Sequence, residues 1–482
     1  MSTKLLLLST GGLLPLVIIF LALAPPVRAA TAGEILEKAI YAEETAGDLD
    51  EAIKLYEQVI AEAKTARSAA AKAQYRLGLI YEKQGKVEQA AEAFRAVIEN
   101  YAEEEELVAQ ARKRLPSEVQ LLPAPWVDGE ELQLDMKLPT GHDIGTMVYR
   151  IESAPSEGKD AWQCTTRGLV TANGADSLSR VLCEKESFAP IKSFWMHSLL
   201  GEAEAVYSDD SVEINVVGKE KPLVIKISPP VYDNEQAMQL FRRLPLKVGY
   251  KTETSVVSSL GAGEVKLALE VPEIETIEVP AGKFECHKLE LNIGQTFWIS
   301  TDEHRYVVRF QAGGVTADLE RMEQRDEDST AELAGDGFSL TLPMGWHSYS
   351  PKGEEDDKKR TTHLLDPNAI VDSQINSGPL DSLKDEERVS AKAWSESAVK
   401  GLTKMLKGFK VRETGLHDVE AGGVTGTAML ADFTDDDTPM TMYGIGLFSG
   451  QRAVNLRFSA PSDKFEELRP EFDAIVKSLK VE

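Results

Sequence analysis

Cysteine, clustered histidine and positive charge are all scarce in this chain. Its 482 residues include 3 Cys and 7 His. Cys164, Cys183 and Cys286 leave at least one thiol unpaired, which excludes a disulfide-framework scaffold. There is no CxxC and no CxxCH, so thioredoxin-type redox chemistry and c-haem attachment are excluded. His142, His197, His287, His304, His347, His363 and His417 are scattered, without HExxH or another paired-His metal spacing. The GxSxG nucleophile elbow is missing too. Lys and Arg number 53 against 79 Asp and Glu, a formal net charge of −26. The longest basic run, Lys358-Lys359-Arg360, sits beside Glu354-Glu355-Asp356-Asp357. That excludes the electrostatic footprint of a nucleic-acid binder and a polybasic membrane-surface patch. Acidity of this kind keeps a protein soluble and monomeric, a basic partner being the alternative. These absences point to binding rather than catalysis, with no cofactor and no metal. An enzyme with an unrecognised site, such as a carboxylate pair, is the remaining alternative.

What is present begins with ordinary globular composition: 42% apolar and 27% charged residues, at a length that implies about three domains. Met1 to Ala29 reads as a signal peptide. Lys4 supplies the positive n-region and Leu13 to Ala24 the apolar core. Val27-Arg28-Ala29 offers small residues for cleavage after Ala29, and Ala30-Thr31-Ala32 a second site. No Cys follows the apolar core, so a lipid anchor is not expected. An uncleaved membrane anchor is disfavoured because Leu5 to Ala24 reaches spanning length only by including Ser9, Thr10, Gly11 and Gly12. The chain is therefore expected to be exported, periplasmic or extracellular, with no span after cleavage.

Residues 31–115 read as an all-α helical repeat. Gly47, Ala52 and Tyr56 recur as Gly85, Ala90 and Phe94, each 38 positions on. With Leu77-Gly78 and Tyr81, the second copy resembles the tetratricopeptide pattern. The period exceeds the usual one of about 34 by about one helical turn, and a lengthened helix is expected in the first unit. Residues 103–115 read as a closing helix with Glu at its start and Arg-Lys-Arg near its end. The resemblance implies a partner groove lined by Lys72, Tyr75, Leu79 and Glu82. A purely structural role for the repeats is the alternative.

Pro116, Pro123 and Pro125 mark a linker, residues 116–130. From 131 to 324 the apolar period becomes two, as in Leu132, Leu134, Met136 and Leu138, in Val212, Ile214 and Val216, and in Leu289, Leu291 and Ile293. A curved antiparallel sheet or open barrel is expected, with one main helix from Asp233 to Leu244 ended by Pro245. Asn173-Gly174 predicts a two-residue hairpin that would set Cys164 opposite Cys183, a candidate disulfide. Cys286 and His287 point to opposite faces of one strand and cannot act as thiolate and base. Two blocks, Tyr232-Asp233-Asn234 with Leu240-Phe241-Arg242-Arg243-Leu244-Pro245-Leu246, and Val279-Pro280-Ala281-Gly282-Lys283-Phe284-Glu285-Cys286-His287-Lys288, resemble an exported bacterial family, domain of unknown function 3108. The resemblance implies a β-rich envelope domain and no reaction. Phe241, Trp195, Trp298 and Phe297 are expected to fill the sheet's interior, a lipid or other hydrophobic ligand being the alternative.

A charged linker, 325–336, precedes an α/β sandwich with an antiparallel sheet at 337–482. Helices are expected at 390–407, with Trp394, Ala398, Leu402 and Met405 on one face, and at 463–480. Strands are expected near 410–419, 424–433, 440–448 and 453–459. Gly337-Phe338, Pro343-x-Gly345-Trp346, Gly422 to Gly426 and Phe472-x-x-Ile475 are similar to the PsbP superfamily, which implies a binding or assembly module. Gly422 to Gly426 lacks the Lys-Ser/Thr of a phosphate loop. Asp435-Asp436-Asp437 reads as a hairpin tip rather than a calcium loop.

Overall fold

The computed structural model describes residues 30–114, 119–156, 158–227, 229–258, 263–326, 329–352 and 360–481. The expected signal peptide, Pro116 and the run from Glu354 to Lys359 lie outside them. The chain divides into two compact units, Met1–Leu115 and Pro116–Glu482.

In the first unit, α1 (Ala32–Tyr41) starts at Thr31, whose hydroxyl accepts from Glu34 N while the Glu34 carboxylate accepts from Thr31 N. The helix widens into a π-turn, Ala42–Ala46, and Gly47 closes it with φ 69°. Then follow α2 (Leu49–Ala61), α3 (Arg67–Lys83), α4 (Val87–Asn100) and α5 (Glu105–Arg114). Gly78 is required by close packing, since a Cβ there would lie 2.6 Å from Phe94 Cε1. The extra turn of the repeat falls in α3, 17 residues long, rather than in the first unit. Its added N-terminal turn is held by Arg67, which donates to Asn100 O at 2.6 Å and pairs with Glu103. The buried Glu43 carboxylate accepts from Tyr56 Oη at 2.7 Å and Arg76 Nη1 at 3.0 Å, joining the end of the first helix to α2 and α3.

The second unit is built around one long sheet, antiparallel except where β9 pairs with β10 in parallel. Its first half is β1 (Glu130–Lys137), β2 (Asp143–Ser156), β3 (Lys159–Val170), β4 (Ala175–Glu184), β5 (Pro190–His197), β6 (Gly201–Tyr207), β7 (Ser211–Val216) and β8 (Leu223–Lys226). Its second half is β9 (Val231–Asp233), β10 (Lys251–Ser258), β11 (Gly263–Glu270), β12 (Ile274–Val279), β13 (Gly282–Leu291), β14 (Gln295–Ser300), β15 (Val307–Ala312) and β16 (Val315–Gln324). β1 pairs with both β2 and β16 and so joins the two halves. The sheet curls until it overlaps itself. Tyr232 and Val256 face the main core, whereas Val231 and Val257, on the other face of β9 and β10, pack against Ala203, Ala205, Val212 and Ile214 of β6 and β7.

The expected helix is shorter than its apolar pattern. Asp233 caps a 3-10 turn, Asn234–Gln236, and α6 covers only Ala237–Arg242. The hairpin between β3 and β4 has a four-residue loop, not the two-residue Asn173-Gly174 turn, because Val170 pairs with Ala175. Thr171 is held instead by β2, donating its N–H to Ile144 O at 2.8 Å, and Asn173 Oδ1 accepts from Ala175 N. Cys164 consequently faces Val181, and Cys183 faces Trp162. The two cysteines are diagonal neighbours on one face, buried as free thiols along with Cys286.

The C-terminal segment adds α7 (Ala391–Met405), capped by Ser390, and α8 (Phe465–Ser478). Its eight-stranded antiparallel sheet includes Val424–Asp435, Thr438–Ser449 and Arg452–Pro461. The single strand expected at 410–419 is two, Lys407–Val411 and His417–Ala421. Phe465, Phe472 and Ile475 of α8 are buried as its stripe requires. Met405 is 80% exposed, because the chain leaves α7 there and Leu406 packs inward in its place. Asp436 and Asp437 form the hairpin tip with φ 41° and 67°, and Asp437 pairs with Lys407.

This segment sits on the convex face of β1 to β4. Gln133 donates to Ser348 O at 3.3 Å, Arg325 Nη1 to Trp346 O at 3.1 Å and Arg180 to Pro367 O at 3.0 Å. β1 is therefore buried on both faces, Glu131, Gln133 and Asp135 included. The two segments keep separate hydrophobic cores within one unit.

His347 lies in this interface, 5% exposed, with Nδ1 3.8 Å from Glu131 Oε2. Burial, then Arg325, Arg321, Arg167 and Arg150, hold its pKa well below 6.5. Above pH 6.5 the ring is neutral whether the chain is folded or not. As pH falls below that value the unfolded chain binds a proton that the folded one refuses, so stability drops until the folded pKa is reached. Urea melts at pH 7.5 and 5.5 should show the native chain losing about 1 kcal/mol more than His347→Gln across that interval. Equal losses would show that His347 does not contribute.

Candidate functional site

Two places bear on binding. The first is the predicted groove on α3. Lys72, Tyr75, Leu79 and Glu82 do form one stripe, but it is largely covered. Tyr75 packs against Phe94, ring centroids 5.6 Å apart. Leu79 joins the cluster that includes Phe94, Leu107, Val108 and Ala111. Glu82 pairs with Arg114 of α5 at 2.7 Å. Lys72 remains exposed. The closing helix thus occupies the place a partner's side chains would take along much of the stripe.

The second is the concave face of the sheet. α6 closes one end of it. Phe241 meets Phe297 at 5.1 Å. Trp298, expected to fill the same interior, is buried on the opposite face, because it follows Phe297 on β14 and lies across from Arg309; its Nε1 donates to Glu275 Oε2 at 2.7 Å. The adjacent arginines are structural. Arg242 is fully buried, with Nη1 2.6 Å from Glu130 Oε1, and it donates to Gln239 Oε1, His304 O and Arg305 O at 2.8, 2.9 and 2.9 Å. Arg243 donates to Leu122, Lys185 and Glu186 carbonyls at 2.9, 3.1 and 2.9 Å, tying the segment before β1 to the β4–β5 connection.

Farther along, the concave face is not filled in the same way. Register places Tyr149, Thr166, Ser179, Trp195 and Ala203 in one cross-strand row over β2 to β6. The next row is Met147, Gly168, Ser177 and His197. Met147, Ser177, Trp195 and His197 are only half-buried, and Trp195 stacks on His197. Trp195, expected as core filler, is therefore a rim residue.

Beside these rows lies the turn after β9. Asp233 is fully buried and satisfied, accepting from Tyr207 Oη at 2.7 Å and Glu235 N at 2.8 Å. Burial raises its pKa, as it does for half-buried Glu235, where the Asp233 charge adds to the effect. Ser179 is close enough to Glu235, and Ser193 to Asp233, to lower those carboxyls. Neither serine hydroxyl reaches hydrogen-bonding geometry with a partner. Glu235 and these serines were not singled out from the sequence. The usable signal was serine at core-parity positions of β4 and β5, where an apolar residue is expected.

Cys286 is buried, its thiol pushed up to about 12 first by desolvation, which is the inert state expected of it. Among the described residues no group of three or more His, Cys, Asp and Glu is placed to hold a metal ion. Nor is any described helix long and apolar enough to cross a membrane.

No curated protein matches the chain. Solved structures with partial likeness include the cyanobacterial PsbP of Synechocystis sp. PCC 6803, 12% identical over 32% of this chain and 93% of that one, TM-score 0.27. A beta-barrel-like protein of domain of unknown function 1849 from Brucella abortus is 10% identical over 43% and 100%, TM-score 0.30. LpqN of Mycobacterium tuberculosis, described as involved in cell envelope biogenesis, is 13% identical over 32% and 90%, TM-score 0.22. Two family models match parts of the chain: the tetratricopeptide repeat at residues 38–105, and the protein family of unknown function DUF3108 at residues 134–320.

Proposed function

We propose that this is an exported cell-envelope protein that binds rather than catalyses, docking protein partners through its helical repeats and its C-terminal α/β segment. The observation that carries the reading is the tetratricopeptide match at 38–105, a scaffold whose stacked helices serve as docking surfaces. Cleavage after Ala29 is supported by the capping box at Thr31, which such a cut leaves intact and a cut after Ala32 would remove. The PsbP-like reading of residues 337–482 rests on the Gly, Pro and Trp spacing described above and makes that segment an assembly module. Partner contact is assigned to the exposed end of the α3 stripe at Lys72 and, on the C-terminal segment, to the surface around Val389, 78% exposed. A photo-crosslinking residue placed at position 72 or 389 of the full chain, expressed in an exporting bacterium, tests both points. The envelope fraction should yield a chain beginning at Ala30 and one defined protein adduct at each position. A chain retaining Met1 and resisting carbonate extraction would replace export by anchoring. Diffuse or missing adducts at both positions would remove the docking role.

The second reading is a carrier of a lipid or other hydrophobic ligand in the curled sheet. The half-buried Met147, Trp195 and His197 on its concave face favour it.

A further inference from the structure

We infer that the concave face beside Glu235 binds the ammonium group of an amphipathic amine, an inference that rests on the carrier reading and specifies its ligand. The argument starts from an electrostatic imbalance. Asp233 and Glu235 bring two carboxylates to one turn, and neither is ion-paired among the described residues. Asp233 is occupied by Tyr207 and by the backbone of its own cap. Glu235 accepts from Asn234 Nδ2 at 3.0 Å, with the Ser179 hydroxyl near by, and keeps acceptor capacity on a half-buried group. Desolvating a carboxylate without a counter-charge is costly, and a cation bound beside Glu235 offsets that cost.

The surroundings carry the second half of the argument. Ser179, 3% exposed and next to Glu235, has a hydroxyl with no hydrogen-bond partner. In the same row the Tyr149 hydroxyl has only a thioether, Met147 Sδ at 3.4 Å. Buried hydroxyls without oxygen or nitrogen partners are rare because each forfeits a hydrogen bond. Both can accept from an N–H donor. Trp195, directly across from Ser179, adds an aromatic face of the kind that attracts ammonium groups. Around this polar spot the face is apolar: Met147 and Met238 are half-buried and pack against the main core. Methionine-lined surfaces adapt to chains of varied shape. A carboxylate, hydroxyls with spare acceptor capacity and an indole on an apolar concave face match an alkyl chain ending in an amine. A fatty acid would set a second anion against Glu235.

Calorimetry on the full chain with dodecylammonium, dodecanol and dodecanoate, each below its micellar concentration, tests this. Dodecylammonium should bind about tenfold tighter than dodecanol, and dodecanoate weakest. Glu235→Gln should erase the preference for dodecylammonium over dodecanol. Ser179→Ala should weaken the amine alone, by severalfold. If dodecanol or dodecanoate matches dodecylammonium, or Glu235→Gln changes nothing, the ammonium site is wrong and the carrier reading stands. If none of the three binds, both are wrong.

Discussion

Replacing Arg242 by Leu is expected to lower the unfolding free energy of residues 116–482 by about 3–5 kcal/mol, the range for breaking a buried ion pair on one side. The guanidinium has no exposure, and its partner Glu130 is 4% exposed. Leucine would fill part of the volume but would strand the Glu130 carboxylate in the core. It would also orphan the carbonyls of His304 and Arg305, which the arginine fork now satisfies. The contacts over Trp126 and Tyr306, at 5.4 and 5.7 Å, would vanish with it. Arg242→Lys keeps the charge but cannot reach all four oxygens, so it should recover less than half the loss. Urea midpoints, with the slope unchanged, check this. A loss under about 1 kcal/mol for Arg242→Leu would mean that the network does not hold the end of the sheet together.

The second large effect is expected at the join between the sheet and the C-terminal segment. Arg167, on the convex face of β3, is 3% exposed. Its Nε donates to Asp366 O at 2.8 Å and its Nη2 to Asp176 Oδ2 at 2.9 Å, while the Asp366 carboxylate lies 3.7 Å away. Asp366 in turn accepts from the backbone of Asn368, Ile370 and Val371, shaping the loop that meets the sheet. Arg167→Ala should destabilise by about 3 kcal/mol, with a coupling to Asp366→Ala of about 1–2 kcal/mol in a double-mutant cycle. Limited proteolysis gives an independent readout, because loosening the join should expose the 325–336 connector to cleavage. Additive single effects with unchanged proteolysis would show that the two segments are held together elsewhere.

Legibility in the sequence followed the range of the interactions. Gly47 and Gly85 announced the repeat because a left-handed helix end is a local demand that glycine meets at no cost. The Asp233 cap and the Phe465–Ile475 stripe were readable for the same reason. Where a partner distant in sequence decides, the pattern misled. Glu131, Gln133 and Asp135 alternate with apolar neighbours as on a solvated face, yet they are buried: residues 325–348 supply partners to Glu131 and Gln133, and Asp135 accepts from Gln133 and Thr146. Asn173-Gly174 is a strong hairpin signal, but the backbone hydrogen bond from Thr171 to Ile144 sets the register two residues away from it. Apolar residues beyond Arg242 extended the expected helix because they also face the core, though from a turn. The α3 stripe was placed correctly, but its cover by α5 depends on a helix that contributes Leu107 and Val108 from 25 residues or more away. At the concave face, Ser179 and Ser193 looked like any serine until the register put them inside.

The strand that joins the two halves of the sheet has a consequence for the order of assembly. β1 cannot acquire both neighbours until β16 exists, and Glu130 pairs with Gln324. A chain emerging N-terminus first can complete the helical unit early, since each of its helices packs against the next. Strands β1 to β8 pair with their neighbours in sequence and can form as they appear, but the β1–β16 pairing must wait for nearly two hundred residues, and closing a loop of that length is slow as well as entropically costly. The last partners of its convex face arrive later still, with Trp346 and Asp366. The closing contacts of the sheet therefore form last, after the two runs of hairpins that they join.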